Sequence, residues 1–287
     1  MASLRDIRRR IRSVRNISQI TRAMQMVAAS RMRRAQQRVL ASRPYSDATR
    51  AMLGELAQQR SDSAAIHPLL RVRPERKVAY VVFTSDRGLS GPLNSNVLRK
   101  ATEELLARPV EPDIITVGRK GQDFFTRRGR KLAATFIGIT DQANYLDLIP
   151  AARIVMDLYS SEAVDAVEVI YPRFVSTLVQ TPTLLRLLPL QNLEEAGTPV
   201  EFIIEPNPEE VLNALLPRYV ETQLYQLLLE TSASAHSAQM VAMQNATENA
   251  QELVQDLTLT YNKARQTAIT KEITEISGAA EALAKAG

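Results

Sequence analysis

The first apolar positions of the chain recur at helical spacing, and neither Pro nor Gly interrupts residues 1–43. Leu4, Ile7, Ile11 and Val14 step by three, four and three. Ile17, Ile20, Met24 and Val27 continue the stripe, followed by Met32, Ala35 and Val39. That period predicts an amphipathic helix. The consecutive three-residue steps from Ile11 to Ile20 break a strict heptad and should overwind a supercoil locally. Ser3, with Asp6 three residues on, reads as an N-terminal capping box. Pro44 is expected to bend or interrupt the helix without ending it, because residues 45–59 stay helix-compatible. Residues 61–74 read as a loop, with Pro68 and Pro74 as breakers.

The other end repeats the pattern at greater length. Residues 218–277 also lack Pro and Gly, enough for about 90 Å of helix at 1.5 Å per residue. Asn207-Pro208-Glu209-Glu210 is a helix start: an Asn cap, Pro at the first position, and acids in the first turn. Pro217, about ten residues in, should kink this helix. Leu224, Leu227 and Leu228 are large seam residues. Ala235, Ala238, Ala242, Ala246 and Ala250 are small and allow close helix approach. Ile269, Ile273, Ile276, Ala280 and Leu283 then show coiled-coil-like spacing. If both helices meet the middle of the chain on one side, they must run antiparallel. The longer second helix would then overhang, with a stripe needing a partner, each buried side chain worth about 1.5–3 kcal/mol.

The middle alternates between strand and helix periods. Residues 78–83 form a continuous apolar run, as in a strand covered on both faces. Next come a helix over 95–107, a strand over 113–117, a helix over 122–128 and an apolar segment over 132–139. A helix over 148–160 precedes strands over 164–171 and 175–188, read as an antiparallel pair joined at Pro172-Arg173. Such alternation predicts an α/β layer with a mostly parallel sheet. The fold class is therefore α/β: a long antiparallel two-helix coiled coil plus a Rossmann-like globular domain. The expected division is an N-terminal helix (1–59), a globular domain (75–205) and a C-terminal helix (207–287), with an acidic, Pro-bearing connection over 191–208.

Charge is distributed unevenly. Residues 1–43 hold twelve Arg and one acid, Asp6, hence +11, whereas the other 244 residues hold 24 basic and 30 acidic groups, hence −6. A solvated face, a transit peptide and a surface for an acidic partner all fit such a start. The helical pattern running some forty residues without a cleavage-like break argues against a transit peptide. There is no Cys, so disulfides, thiolate metal sites and thiol regulation are excluded. No apolar run approaches the length of a membrane-spanning helix.

Candidate chemistry is sparse. Asp86-Arg87-Gly88-Leu89-Ser90-Gly91 comes after the first strand but lacks both the P-loop Gly-Lys-Ser/Thr and the G-x-G-x-x-G spacing. Gly118-Arg119-Lys120-Gly121 is equally short of a motif, and a structural turn is the better reading of both. His67 and His236, the only histidines, lie far apart and read as solvent-facing or locally bonded. Ser90 has neither a nucleophile elbow nor an obvious base. No catalytic residue, cofactor site or metal site is expected.

The stretch from Ile20 to Ser30, ITRAMQMVAAS, closely resembles the gamma subunit of F-type ATP synthases. So does Tyr261-Asn262-Lys263-Ala264-Arg265-Gln266, leading into Ile269-Thr270-Lys271-Glu272-Ile273-Thr274-Glu275-Ile276. Ser85-Asp86-Arg87-Gly88-Leu89 with Asn94, Leu188-Pro189-Leu190 and Leu215-Leu216-Pro217-Arg218-Tyr219 are similar to the same family, of the bacterial type without the chloroplast regulatory insertion. The likeness extends over essentially the whole chain.

That resemblance implies a central rotor stalk, non-catalytic in itself, coupling rotation of a membrane c-ring to conformational change at beta-subunit catalytic sites in a proton-translocating ATP synthase. The implied partners are the alpha and beta subunits, the epsilon subunit and the c-ring. The implied place is the cytoplasmic face of the bacterial plasma membrane, in a peripheral complex without direct membrane insertion. Met24 matches the family's methionine near the beta-subunit contact, and Gln266, Thr270 and Glu272 match polar coupling positions on the facing helix. Gln239 stands where the family usually has Arg, so a charge-based catch at that position is not expected. Ser90 and Pro92 replace the commoner Cys/Ala and Gly. Two rivals predict different behaviour: a nucleic-acid-binding protein would show steeply salt-dependent DNA affinity through its basic helix, and a nucleotide-dependent enzyme would hydrolyse ATP in isolation. Stacking aromatics, however, are absent from residues 1–43.

Overall fold

A computed structural model describes residues 3–58, 67–190, 205 and 207–286. The expected connection over 191–208 therefore lies almost wholly outside the described residues. The elements are helix α1 (Leu4–Gln58), a single 3-10 turn (Pro68–Leu70), strand β1 (Val78–Phe83), α2 (Leu93–Leu106) and β2 (Asp113–Val117). Then come α3 (Arg119–Arg127), β3 (Ala134–Phe136), α4 (Tyr145–Ser160), β4 (Ala166–Phe174), β5 (Gln180–Leu188) and α5 (Pro208–Ala286).

Both long helices start as their caps dictate. The Asp6 amide donates to Ser3 Oγ at 3.2 Å while the Ser3 hydroxyl donates to Asp6 Oδ2 at 2.9 Å. The Glu210 amide donates to Asn207 Oδ1 at 2.8 Å, and Asn207 Nδ2 returns a bond to Glu210 at 2.7 Å. The two amide bonds cap first-turn N–H groups, and the side-chain bonds lock each capping pair together. Pro44 and Pro217 both lie inside continuous helix.

The chain divides into two compact units. One comprises residues 1–27 with 240–287, the other residues 28–239. In the larger unit the sheet order is β3-β2-β1-β4-β5. β1 pairs in parallel with β2 and β4, β2 in parallel with β3, and β4 antiparallel with β5. Alternate side chains of β1 feed two cores. Ala79, Val81 and Phe83 pack with α4 and the buried stretch of α5 from Leu212 to Leu229, whereas Val78, Tyr80 and Val82 pack with α2 and Phe125 of α3. Helices on both faces explain why β1 is apolar at every position and fully buried.

Two expectations need correction here. Pro172 and Arg173 do not form the β4–β5 turn: both lie within β4, Pro172 opposite Pro182, and the chain reverses over 175–179. Proline is tolerated at 172 because β1 pairs with β4 only as far as Ile170, so no ladder bond to β1 is lost there, while Pro182 lies on the edge strand β5; the Pro172 carbonyl accepts the Ser234 hydroxyl at 2.8 Å. The segment over 132–139 contributes only the three residues of β3, the opposite edge strand.

A polar cluster closes the far side of the sheet. Glu168 is buried and receives Arg186 at 2.7 Å and Arg108 at 3.2 Å, and Arg108 also donates to Tyr80 Oη at 3.1 Å. Each buried charge thus has a hydrogen-bonded counter-charge, the condition for tolerating it away from water.

Candidate functional site

The smaller unit is an antiparallel helix pair. Arg8 donates to Tyr261 Oη at 2.8 Å and lays its guanidinium 5.5 Å from that ring's centre. Further along, the Thr21 and Thr247 hydroxyls bond at 2.7 Å. Thirteen residues separate Arg8 from Thr21 and fourteen separate Thr247 from Tyr261, so the two helices advance in opposite directions nearly residue for residue.

The seam departs from the apolar stripe read in the sequence. Ile17, Ile20 and Val27 are exposed, whereas Ile7 and Ile11 are buried and Val14, Ser18, Thr21 and Met24 are half-buried. From Ile7 to Thr21 these positions step by four, three, four and three, with Met24 three further on, so the seam tracks helix phase through Ser18 and Thr21 and leaves the nearby isoleucines outside. The run of three-residue steps is not the contact line, and no overwinding need be invoked. On α5 the matching seam runs through Met243, Thr247, Ala250, Val254, Leu257, Tyr261, Ala264 and Ala268. Thr247 is satisfied twice, since its hydroxyl also donates to the Met243 carbonyl at 2.8 Å.

Beyond Ala268 every described side chain of α5 is exposed as far as Ala280. Ile269, Ile273 and Ile276 have 48, 61 and 70% of their surface in solvent. At about 100° per residue, Ile273 lies roughly opposite the Tyr261–Ala264–Ala268 seam, with Ile269 and Ile276 on the flank. The stripe is thus rotated off the face that meets α1. Leu283 lies outside the described side chains.

The four sequence-predicted contact residues fall into two places. Gln266 and Thr270 are exposed and share the face of Ile273, the Thr270 hydroxyl donating to the Gln266 carbonyl at 3.0 Å. Glu272 is exposed and sits nearer the seam edge. Met24 is a half-buried seam residue at the level of Thr247, roughly 30 Å along the axis from Gln266 at 1.5 Å per residue. It is not brought together with the other three. Nothing in the apolar pattern singles out the Thr21–Thr247 and Arg8–Tyr261 pairs, although heptad phase counted onward from Ile11 marks Thr21.

In the larger unit the loops that could have held a nucleotide are filled by the chain's own groups. The strand order reverses between β1 and β4, the arrangement that in dinucleotide-binding sheets places ligand at the strands' carboxyl ends. Here the Asp86 carboxylate accepts the amides of Arg119 (3.0 Å), Gly138 (2.8 Å) and Thr140 (3.0 Å) and the Thr140 hydroxyl (2.6 Å). An internal carboxylate thus occupies the start of α3, where a phosphate would sit. Gly118 has φ +105°, and a Cβ there would lie 2.1 Å from the Thr84 carbonyl oxygen, so this glycine lets β1 and β2 approach. Asn94 accepts the Ser85 amide at 3.0 Å and donates to Ser90 Oγ at 3.2 Å. Ser90 is thereby fixed by an amide and not by a base. These loops are structural turns, as read from the sequence.

His67 caps the 3-10 turn, its Nδ1 accepting the Leu69 amide at 3.2 Å. His236 is buried, with Nε2 3.4 Å from the Asp141 carbonyl. A carbonyl only accepts, so Nε2 carries the proton. Burial pushes the His236 pKa below its ordinary value, against an opposing pull from Asp141, with Arg31 and Arg87 adding smaller downward contributions. Among the described residues no cluster of three or more His, Cys, Asp or Glu is placed to hold a metal, and no helix is long and apolar enough to cross a membrane.

Comparison with known proteins settles the family. A family model described as ATP synthase matches residues 3–283, and relatives about half identical over their full length are ATP synthase gamma chains. The chain belongs to the ATP synthase gamma-chain family. The ATP synthase gamma chain of Pelotomaculum thermopropionicum is 48% identical over 285 residues, covering 99% of this chain and all of that one. That of Roseiflexus castenholzii is 50% identical over 290 residues, with the same coverage. Among solved structures, a chain of the Tetrahymena thermophila mitochondrial ATP synthase central stalk and c-ring aligns with a TM-score of 0.62 at 28% identity, covering 79% of this chain and 99% of that one. A chain of the Euglena gracilis mitochondrial enzyme shares the fold, with a TM-score of 0.69 at 22% identity over 98% of this gamma chain and 94% of its own length.

Proposed function

We propose that this gamma chain is the central rotor of a proton-translocating ATP synthase, transmitting torque between a membrane c-ring and the catalytic alpha and beta subunits without doing chemistry itself. One observation carries the reading: an antiparallel helix pair whose longer member extends past its mate with an exposed Ile269–Ile273–Ile276 stripe turned away from the seam. With Arg8 opposite Tyr261 and α1 beginning at Leu4, the mate stops short of Ile269 and leaves these apolar residues for a third surface. Ile273, Gln266 and Thr270 form the face offered to the alpha and beta subunits. Met24 acts at a second level, about 30 Å away along the pair, near the beta subunits, and Glu272 flanks the first contact.

The remaining partners in this reading are the epsilon subunit and the c-ring, which engage the unit containing the sheet. The complex sits at the cytoplasmic face of the bacterial plasma membrane. The non-catalytic role is supported by the Asp86 carboxylate, whose bonds consume the donors a bound phosphate would need.

The absence of Cys makes the test direct. A Leu106→Cys substitution, at a side chain 70% exposed on α2, gives a single attachment point for a bead on the chain assembled with alpha and beta subunits. ATP hydrolysis by the complex should drive unidirectional stepwise rotation of the bead, while the isolated chain hydrolyses no ATP. Hydrolysis by the complex with a stationary bead would refute the rotor role.

A further inference from the structure

Within the larger unit a cavity of about 390 Å³ lies between α1, α5 and the loops around Arg87 and Asp141. Its charge balance is one-sided. Arg31, Arg34 and Arg38 come from successive turns of one α1 face, and Arg87 faces them from the loop after β1. Asp141 is the one carboxylate in the lining, and it is already held by Arg87 at 2.7 Å. Arg38 donates to the Gln142 carbonyl, a neutral group. Among the described residues no carboxylate pairs with Arg31 or Arg34. His236 closes the floor in its neutral form, since burial disfavours its charge, and so neither adds to nor relieves the excess.

A solvated arginine face would normally spread over a convex surface, where like charges separate into water. Here four guanidiniums line a concavity with a single, already paired counter-charge. Planar guanidinium forks match the oxygens of a phosphate group bidentately, and a concave wall places several donors around one anion. The volume falls in the range of small-ligand sites. We infer that this cavity binds a small phosphate-bearing anion, with Arg31 and Arg34 as its primary ligands and Arg38 and Arg87, each anchored at one end, as the walls. The site is independent of the rotor reading and of the Ile269–Ile276 face.

The test uses the full chain in low-chloride buffer, with pyrophosphate as the first probe. Calorimetric titration should give saturable one-to-one binding, weakened at least tenfold by the paired change Arg31→Gln and Arg34→Gln and unchanged by Arg12→Gln, an exposed arginine of the same helix. On the unmodified chain, pyrophosphate should slow phenylglyoxal modification of Arg31 and Arg34 but not of Arg12, a readout that needs no variant to fold. Inorganic phosphate and ADP then distinguish the source. ADP binding no tighter than pyrophosphate assigns the site to the phosphate group alone, and tighter binding assigns it to a nucleotide's phosphates. Unsaturable binding, equal loss with Arg12→Gln, or protection by an acidic peptide but not by pyrophosphate would overturn the proposal.

Discussion

Replacing Ile269, Ile273 and Ile276 together by Ser tests what the end of α5 is for. Fully burying an isoleucine is worth about 1.5–3 kcal/mol. Scaling that by the fractions still exposed, 48, 61 and 70%, leaves about 3–5 kcal/mol for a partner that covers all three. An association losing that much should weaken by roughly two to four powers of ten. The isolated chain should barely respond, because α1 begins about level with Arg265 and these side chains lie beyond it. Its stability should change by less than about 0.5 kcal/mol, as for ordinary surface changes. The assay is retention of the triple variant by alpha and beta subunits across a dilution series, with circular dichroism confirming an intact fold. Undiminished assembly would refute the reasoning that this stripe is a buried contact in the complex. A large loss of stability in the isolated chain would refute its separation from the seam.

Two further outcomes concern the larger unit. Asp86→Ala removes the acceptor for three amides and a hydroxyl. Water can replace the more exposed bonds, so a cost of about 2–4 kcal/mol is expected, read as a lowered urea midpoint, with Asp86→Asn intermediate; a cost under about 0.5 kcal/mol would show that the loops hold without it. His236 has a folded-state pKa below 6.5. The unfolded chain therefore binds a proton that the folded chain refuses in the window below 6.5, and stability falls as pH drops through it. His236→Gln should reduce the loss of thermal midpoint between neutral and mildly acidic phosphate-free buffer; an equal loss in variant and parent would locate the acid sensitivity elsewhere.

The features legible in the sequence are those that depend on local rules. Residues 78–83 and 113–117 read as strands because a continuous apolar run bounded by turns has few other homes, and both are strands. The two helix starts read clearly because Ser3 and Asn207 act on amides three residues away. Less legible is anything set by phase against a second element. Ile17 and Ile20 look like core by composition, yet the four-three alternation continued from Ile11 and Val14 selects Ser18 and Thr21, and only the mate's Thr247 makes that choice favourable. The β4–β5 turn is misplaced in the sequence reading for a related reason. Pro172 is a local break signal, but it lies past the end of β1's pairing with β4, so its missing N–H breaks no ladder bond on that side and the strand continues.

The same distinction explains why the proposed contact face is only partly visible in the sequence. Gln266, Thr270 and Glu272 can be proposed together from resemblance, but their grouping depends on where the seam lies. Once Tyr261, Ala264 and Ala268 are fixed against α1, helix geometry places Gln266 and Thr270 beside Ile273 and turns Glu272 toward the seam edge. Met24, drawn from the same resemblance, belongs to another level because the antiparallel register ties it to the neighbourhood of Thr247. A rotor that pushes on its surroundings at one height only could tip; contacts at two heights resist tilt while still passing torque. The register that separates Met24 from Gln266 therefore sets the two proposed contacts at different heights along the pair.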